Sequence, residues 1–289
     1  MKKTNLFLTI AALVNLLAFS GCGETGKSTS SVKTSQSIKN ETAVTQDLAV
    51  VSYSGTRINN VTIAVYEGEE LIDTVVTNFI GNASISIKPG NYNVKLSNLP
   101  IGYVAEESYE YIVTNKYARV EFKCSSEVID EELPENHKYE KSDIMYNFEY
   151  TDTDGNSTSL KSLFDEEEKD LVILTFWASW CGFCINEFPF FNEVDASYSD
   201  RVKIIGLNAD TKGVDKETSI RAFKEEYDIT WTFALGNHST LAYNSFDAKG
   251  IPLTVFISKY GVIEYIHNAM FPSEGELFTK VETYLDRLG

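Results

Sequence analysis

Two patterns of apolar and polar positions divide the chain. From about residue 48 to 124 they alternate in short runs: Val61, Ile63 and Val65; Ile85 and Ile87; Tyr92, Val94 and Leu96; Val120, Phe122 and Cys124. A period of two marks half-buried strands. Turn signals at Asn59-Asn60, Gly68, Gly81-Asn82 and Pro89-Gly90-Asn91 separate these runs at all-β spacing, which predicts a small all-β sandwich over 48–124. From residue 142 onward, continuous apolar runs alternate with helical periodicity. Leu171–Trp177 and Val202–Leu207 read as strands buried on both faces, and Leu253–Ile257 turns through Lys259-Tyr260-Gly261 into Val262–Ile266. Helices are predicted from Cys181 to about Tyr198, with a break in bonding at Pro189, over Ile220–Tyr227, and from about Glu274 to Leu288. Strand, helix, strand, helix, hairpin, helix is an α/β order.

The stretches outside these patterns are connecting or processed segments. Lys2 and Lys3 precede an apolar run from Leu6 to Phe19, too short to span a bilayer, so residues 1–21 read as a secretory signal. Phe19-Ser20-Gly21-Cys22 resembles a bacterial lipobox, which implies lipidation of Cys22 as the mature N-terminus. Residues 22–47, rich in Ser, Thr, Lys and Gln, lack the apolar content to fold and are expected to be a flexible tether. Residues 125–141 carry six acidic side chains around Pro134 and are expected to be an acidic linker. The second domain is expected over 142–289.

Charge and motif context exclude several functions. The net charge of −17 argues against nucleic acid as a partner. Gly21 and Gly26-Lys27-Ser28 satisfy the spacing of a phosphate loop, but no strand precedes them and no helical pattern follows, so no nucleotide is expected. Asp152, Asp154 and Asn156 suggest a calcium loop. Counting from Asp152, however, the sixth residue is Ser157 and the twelfth Leu163, so a hairpin turn is the reading.

The chemistry is carried by Cys181 and Cys184, two thiols in C-x-x-C spacing at a predicted helix start. That spacing permits a reversible disulfide, and the helix N-terminus favours the thiolate of Cys181, expected on an exposed first turn. Half of a zinc site looks the same, but there is no second C-x-x-C and no histidine pair at ligand spacing, so no metal is expected. Glu187 lies three residues beyond Cys184 on the same helical face. Cys124 continues a strand alternation and is expected to be a buried structural thiol.

Phe176-Trp177-Ala178-Ser179-Trp180-Cys181, then Cys184 and Glu187-Phe188-Pro189, resembles the active site of TlpA/ResA-like thioredoxin-fold proteins, over roughly residues 139–289. Phe183 departs from the proline usual before the second cysteine. The resemblance implies an α/β thioredoxin fold and a membrane-tethered thiol–disulfide oxidoreductase outside the cytoplasm, needing no cofactor. It implies that Cys181 attacks a substrate disulfide, that Cys184 resolves the mixed disulfide, and that Glu187 serves as proton acceptor. Thr175 stands where thioredoxin itself has a buried aspartate. Gly250-Ile251-Pro252-Leu253-Thr254 resembles the family's cis-proline loop, implying that Ile251 and Pro252, with Trp180, meet the substrate.

In the first half, Thr77-Asn78, Gly81, Gly90-Asn91-Tyr92-Asn93-Val94 and Pro100-Ile101-Gly102-Tyr103 resemble the Cna B-type (SpaA-like) repeat of bacterial surface proteins. Leu96 stands where that resemblance would place the crosslinking residue, so no isopeptide bond is expected. The leading expectation is a reductase of exported protein disulfides, lipid-anchored to the bacterial cell membrane and recharged by a membrane electron carrier. The alternatives are an oxidase that installs disulfides, and a surface adhesion or scaffold protein. A peroxidase is disfavoured.

Overall fold

The alternating half folds as two four-stranded sheets that share one core. The computed structural model describes residues 42–210 and 217–288. Strands β1 (Val44–Ser52), β2 (Thr62–Glu67), β3 (Glu70–Val76), β4 (Asn82–Ile87), β5 (Gly90–Ser97), β6 (Tyr103–Val104), β7 (Tyr109–Val113) and β8 (Arg119–Ser126) form sheets of order β4-β1-β8-β6 and β3-β2-β5-β7. Leu48 and Val50 of one sheet meet Ile63, Val65 and Val94 of the other, with Phe122 and Cys124 among them. Alternation decides which side chains enter: in β5, Tyr92 and Val94 are buried while Asn91, Asn93 and Lys95 face solvent.

The start of this half differs from the expectation. Val44–Asp47, assigned by composition to the tether, are the first residues of β1 and pair with Ser84–Ile87. The polar side chains of Thr45, Gln46 and Asp47 hide the strand, yet Gln46 is buried and its Nε2 donates to Lys116 O at 2.8 Å. The remainder of the tether, the signal and Cys22 lie outside the described residues.

The second half is built on a five-stranded sheet. A hairpin, β9 (Glu149–Thr151) and β10 (Ser157–Ser159), closes over the Asp152–Asn156 turn, with Asp152 Oδ1 accepting from the backbone N–H of Asp154 and of Asn156. Then follow α1 (Leu160–Asp165), β11 (Leu171–Trp177), α2 (Gly182–Tyr198), β12 (Val202–Asn208), α3 (Glu217–Glu226), β13 (Thr232–Ala234), a π-helical turn at Leu241–Ser245, β14 (Leu253–Ser258), β15 (Ile263–His267) and α4 (Glu274–Leu288). The sheet order is β13-β12-β11-β14-β15, with β11, β12 and β13 parallel and β14 and β15 antiparallel, a thioredoxin-like arrangement.

All seven residues of β11 are buried, because the strand feeds two cores. Val172, Leu174 and Phe176 face one with α1; Leu171, Ile173 and Trp177 face the other, covered by α2 and α4. Helix α2 runs on through Pro189 and directs Cys184, Phe188, Phe191 and Val194 inward.

The acidic stretch 125–141 packs against this second half. Val128, Ile129 and Tyr139 are buried in the α1-side core, Ser126 Oγ donates to Tyr260 O at 2.8 Å, and Tyr53 stacks on Tyr260 at 5.6 Å. All described residues fall within one compact unit.

Candidate active site

Strand β11 ends at Trp177, and the chain turns once before α2. Cys181 caps the helix: its N–H donates to Ala178 O at 2.9 Å, and the Cys184 N–H donates to Cys181 Sγ at 3.1 Å. Cys181 and Cys184 form a disulfide with Cα atoms 5.3 Å apart. The Cys184 N–H is one of the helix donors left without an intrahelical partner, so it stabilises negative charge on Cys181 Sγ once the bond is reduced.

The first turn is exposed at Gly182 and Phe183 but not at the sulfur that was expected there. Cys181 is 4% exposed and Cys184 1%, whereas Trp180 and Phe183 are 46% and 65% exposed. The reason is the loop opposite: the Ile251–Pro252 peptide is cis, and Ile251 O lies 3.7 Å from Cys181 Sγ. Asn268 braces this loop, its Nδ2 donating to Gly250 O at 2.6 Å and to Pro252 O at 3.3 Å while its Oδ1 accepts from Lys249 N.

Glu187 sits one turn behind Cys184 and is 1% exposed. Its Oε1 accepts the Phe271 N–H at 2.5 Å, and its Oε2 is buried with no hydrogen-bond partner among the described residues. Burial pushes its carboxyl up to about 8, and the Phe271 hydrogen bond, which favours the anion, only partly offsets this. A group titrating there is placed to exchange a proton with a neighbouring thiol near neutral pH. Thr175, also buried, supplies no carboxylate from β11.

Sequence reasoning missed Asp210, just past β12. It is 1% exposed, its Oδ2 accepts from Ser179 Oγ at 2.6 Å and Ser179 N at 3.3 Å, and its Oδ1 accepts from Trp180 Nε1 at 3.2 Å. Neither Asp210 nor Asn268 stands in a motif; topology alone brings them to the cysteines.

Cys124 belongs to the other half of the chain. Its thiol is buried in the two-sheet core and pushed up to about 11 by that burial, so it resists forming the reactive thiolate. Among the described residues no group of three or more His, Cys, Asp or Glu is placed to hold a metal ion. None of the described helices is long and apolar enough to cross a membrane.

Comparison with known proteins finds similarity over part of the chain. The thiol-disulfide oxidoreductase ResA of Bacillus cereus is 32% identical over 122 residues, 42% of this chain and 65% of that protein. The thioredoxin-like protein YneN of Bacillus subtilis is 29% identical over 107 residues, 37% of this chain and 61% of its own length. The chain thus spans just under two thirds of these relatives. Among solved structures, a putative thiol:disulfide interchange protein DsbE from Chlorobium tepidum overlays 53% of this chain and all of its own, with a TM-score of 0.43 and 24% identity. Residues 142–266, which hold the disulfide, Glu187 and the cis-proline loop, match the AhpC/TSA family.

Proposed function

We propose that the chain is an extracytoplasmic thiol–disulfide oxidoreductase, a reductase of exported protein disulfides, held at the bacterial cell membrane by lipid on Cys22. The observation that carries this reading is the Cys181–Cys184 disulfide at the head of α2, against the cis-proline loop, with the Glu187 carboxyl buried one turn behind.

In the reduced chain, the Cys181 thiolate attacks a substrate disulfide, forms a mixed disulfide and expels one substrate thiolate. Cys184 then loses its proton to Glu187 and displaces Cys181's partner, leaving the disulfide seen here and a dithiol substrate. A membrane electron carrier returns two electrons to the pair, and no cofactor is required. The two sheets over residues 44–126 serve as a Cna B-like sandwich domain that spaces the redox half from its anchor. Similarity to AhpC/TSA proteins does not favour a peroxidase, because Cys181 is tied to a resolving thiol only three residues away.

Two measurements on the full chain test this. Reduction of insulin disulfides, abolished by Cys181→Ser, separates an oxidoreductase from an adhesion or scaffold protein. A reduction potential near or below about −250 mV fits a reductase, and one near −120 mV shows the disulfide-forming oxidase instead.

A further inference from the structure

Phe79 is the most exposed large apolar side chain among the described residues, at 85%, and Ile80 beside it is 51% exposed. Both stand at the tip of the turn between β3 and β4. Resting on the lipid-anchored reading, we propose that this tip enters the bilayer surface and gives the chain a second membrane contact.

The turn holds these side chains out in a fixed conformation. Asn78 Oδ1 accepts from Ile80 N at 3.0 Å and from Asn82 N at 3.1 Å, and Gly81 N donates to Asn78 O at 2.8 Å. Gly81 has a φ of +74°, and a Cβ there would lie 2.7 Å from Arg57 Cβ, so the turn is pressed against the connection between β1 and β2. Thr77 is buried and ties the base: its Oγ1 accepts from Val61 N at 2.9 Å and donates to Ile58 O at 3.0 Å. A tip fixed beforehand loses little freedom on insertion.

Charge, area and reach point to lipid as the partner. Residues 74–87 contain no Asp, Glu, Lys, Arg or His, in a chain that is 23% charged. The ionic side chains beside the turn are paired, Arg57 with Glu121 at 2.9 Å and Arg119 with Asp47 at 4.0 Å. Such a tip enters the headgroup region without desolvating an ion of its own. A Phe side chain buries about 150–250 Å², so Phe79 and Ile80 fall far short of the roughly 800 Å² per partner of a stable protein interface. A bilayer asks for no complementary surface, and a second contact is what makes attachment through lipid firm. From Cys22 to Val44 the chain spans at most roughly 75 Å. Val44 to Ala49, which pairs with Asn82, covers about 17 Å of β1. A lipid on Cys22 and the tip therefore fit one bilayer together. The turn lies toward the end of β1 that leads to Tyr53, which stacks on Tyr260. Contact there keeps the redox half beside the membrane and its electron carrier.

The test uses the oxidised chain from residue 22, coupled through Cys22 to a maleimide lipid in phosphatidylcholine vesicles. Cys22 is the reactive thiol, since Cys181 and Cys184 are bonded and Cys124 is buried. Fluorescence of the Phe79→Trp variant should be quenched by bromine-labelled acyl chains beyond that of the unsubstituted chain. Ile112→Trp, at an exposed site on β7, should show no such gain. Adding Ile80→Ser to Phe79→Trp should lower the quenching by about two- to tenfold, and mixing in anionic phosphatidylglycerol should leave it unchanged. All three side chains are exposed, so the substitutions open no core cavity. Equal quenching of the Phe79→Trp and Ile112→Trp variants, no effect of Ile80→Ser, or quenching that requires the anionic lipid would overturn the tip as a membrane contact. So would a dimer in solution that Phe79→Ser returns to monomer, which would show a second copy covering the tip. Because the coupling to lipid is chemical, these outcomes do not depend on lipidation in cells. That reading fails separately, if metabolic fatty-acid labelling persists in Cys22→Ala.

Discussion

At the scale of single residues, the Glu187 carboxyl gives the candidate site a pH dependence of its own. Burial raises Glu187 from its ordinary value of 4.5 to about 8, so the folded chain holds a proton that the unfolded chain releases between those values. Its contribution to stability is fully present below about pH 4.5 and is lost as pH rises through 8. Denaturation of the oxidised chain at pH 5 and pH 8.5 should therefore show a larger loss for the wild type than for Glu187→Gln. In the proposed turnover the same group must be ionised to take a proton from Cys184. The wild-type rate should climb through pH 8, while Glu187→Gln should fall by about a hundredfold and lose that climb. The two thiols differ likewise: Cys184→Ser should accumulate mixed disulfides with exported proteins on non-reducing gels, and Cys181→Ser should trap few. The reverse pattern would mean the assigned roles are exchanged. The cysteines were legible from their spacing, and Glu187 and Pro252 from the resemblance of the surrounding residues to a known family. Asp210 and Asn268 were not, since each reaches the site from an element distant in sequence, with nothing local to announce it.

At the scale of elements, legibility followed burial. Strand β11, buried throughout, and α4, with one clean apolar face, have the boundaries their patterns predict. Edge strands were harder. Strand β3 is almost wholly exposed, so Glu70–Val76 carries no inward pattern, and β13 is three residues long. Strand β12 shows a constraint that its apolar run conceals. A Cβ on Gly206 would lie 2.7 Å from a Phe233 ring carbon and 2.8 Å from Trp231, both fully packed. The glycine is there so that these rings can close over the strand. Gly206→Ala should cost about 1–3 kcal/mol through overpacking, read as a lower midpoint in urea at an unchanged slope. Phe188→Ala, which empties the space between Trp177, Phe223 and Trp231, should cost about 3–5 kcal/mol.

At the scale of the whole molecule, charge misled where backbone pairing decides. The acidic side chains of 125–141 point to a solvated spacer, but the apolar residues between them extend the edge of the second half's sheet. Ile144 bridges to Val262 beside β15, and Ile129 bridges in turn to Tyr146, with Ile129 N donating to Met145 O at 3.0 Å and Asn147 N to Ile129 O at 2.7 Å. Gly261 makes this approach possible: its φ is +72°, and a Cβ there would lie 2.6 Å from Val128 N. The segment therefore completes a core through Val128, Ile129 and Tyr139 and, through Ile129, pairs with the backbone of Met145 and Asn147, which would otherwise be left open on that side. A fragment of residues 126–289 keeps all of this, whereas one of 142–289 loses Val128, Ile129 and Tyr139 from the α1-side core. At about 1.5–3 kcal/mol for each large apolar side chain withdrawn, the shorter fragment should be less stable by several kcal/mol. It should still form the Cys181–Cys184 disulfide, because every residue of that site is retained. Urea unfolding of the two oxidised fragments, followed by tryptophan fluorescence, measures the difference. Equal midpoints would show that 126–141 is a spacer after all, lying on the redox half without supporting it.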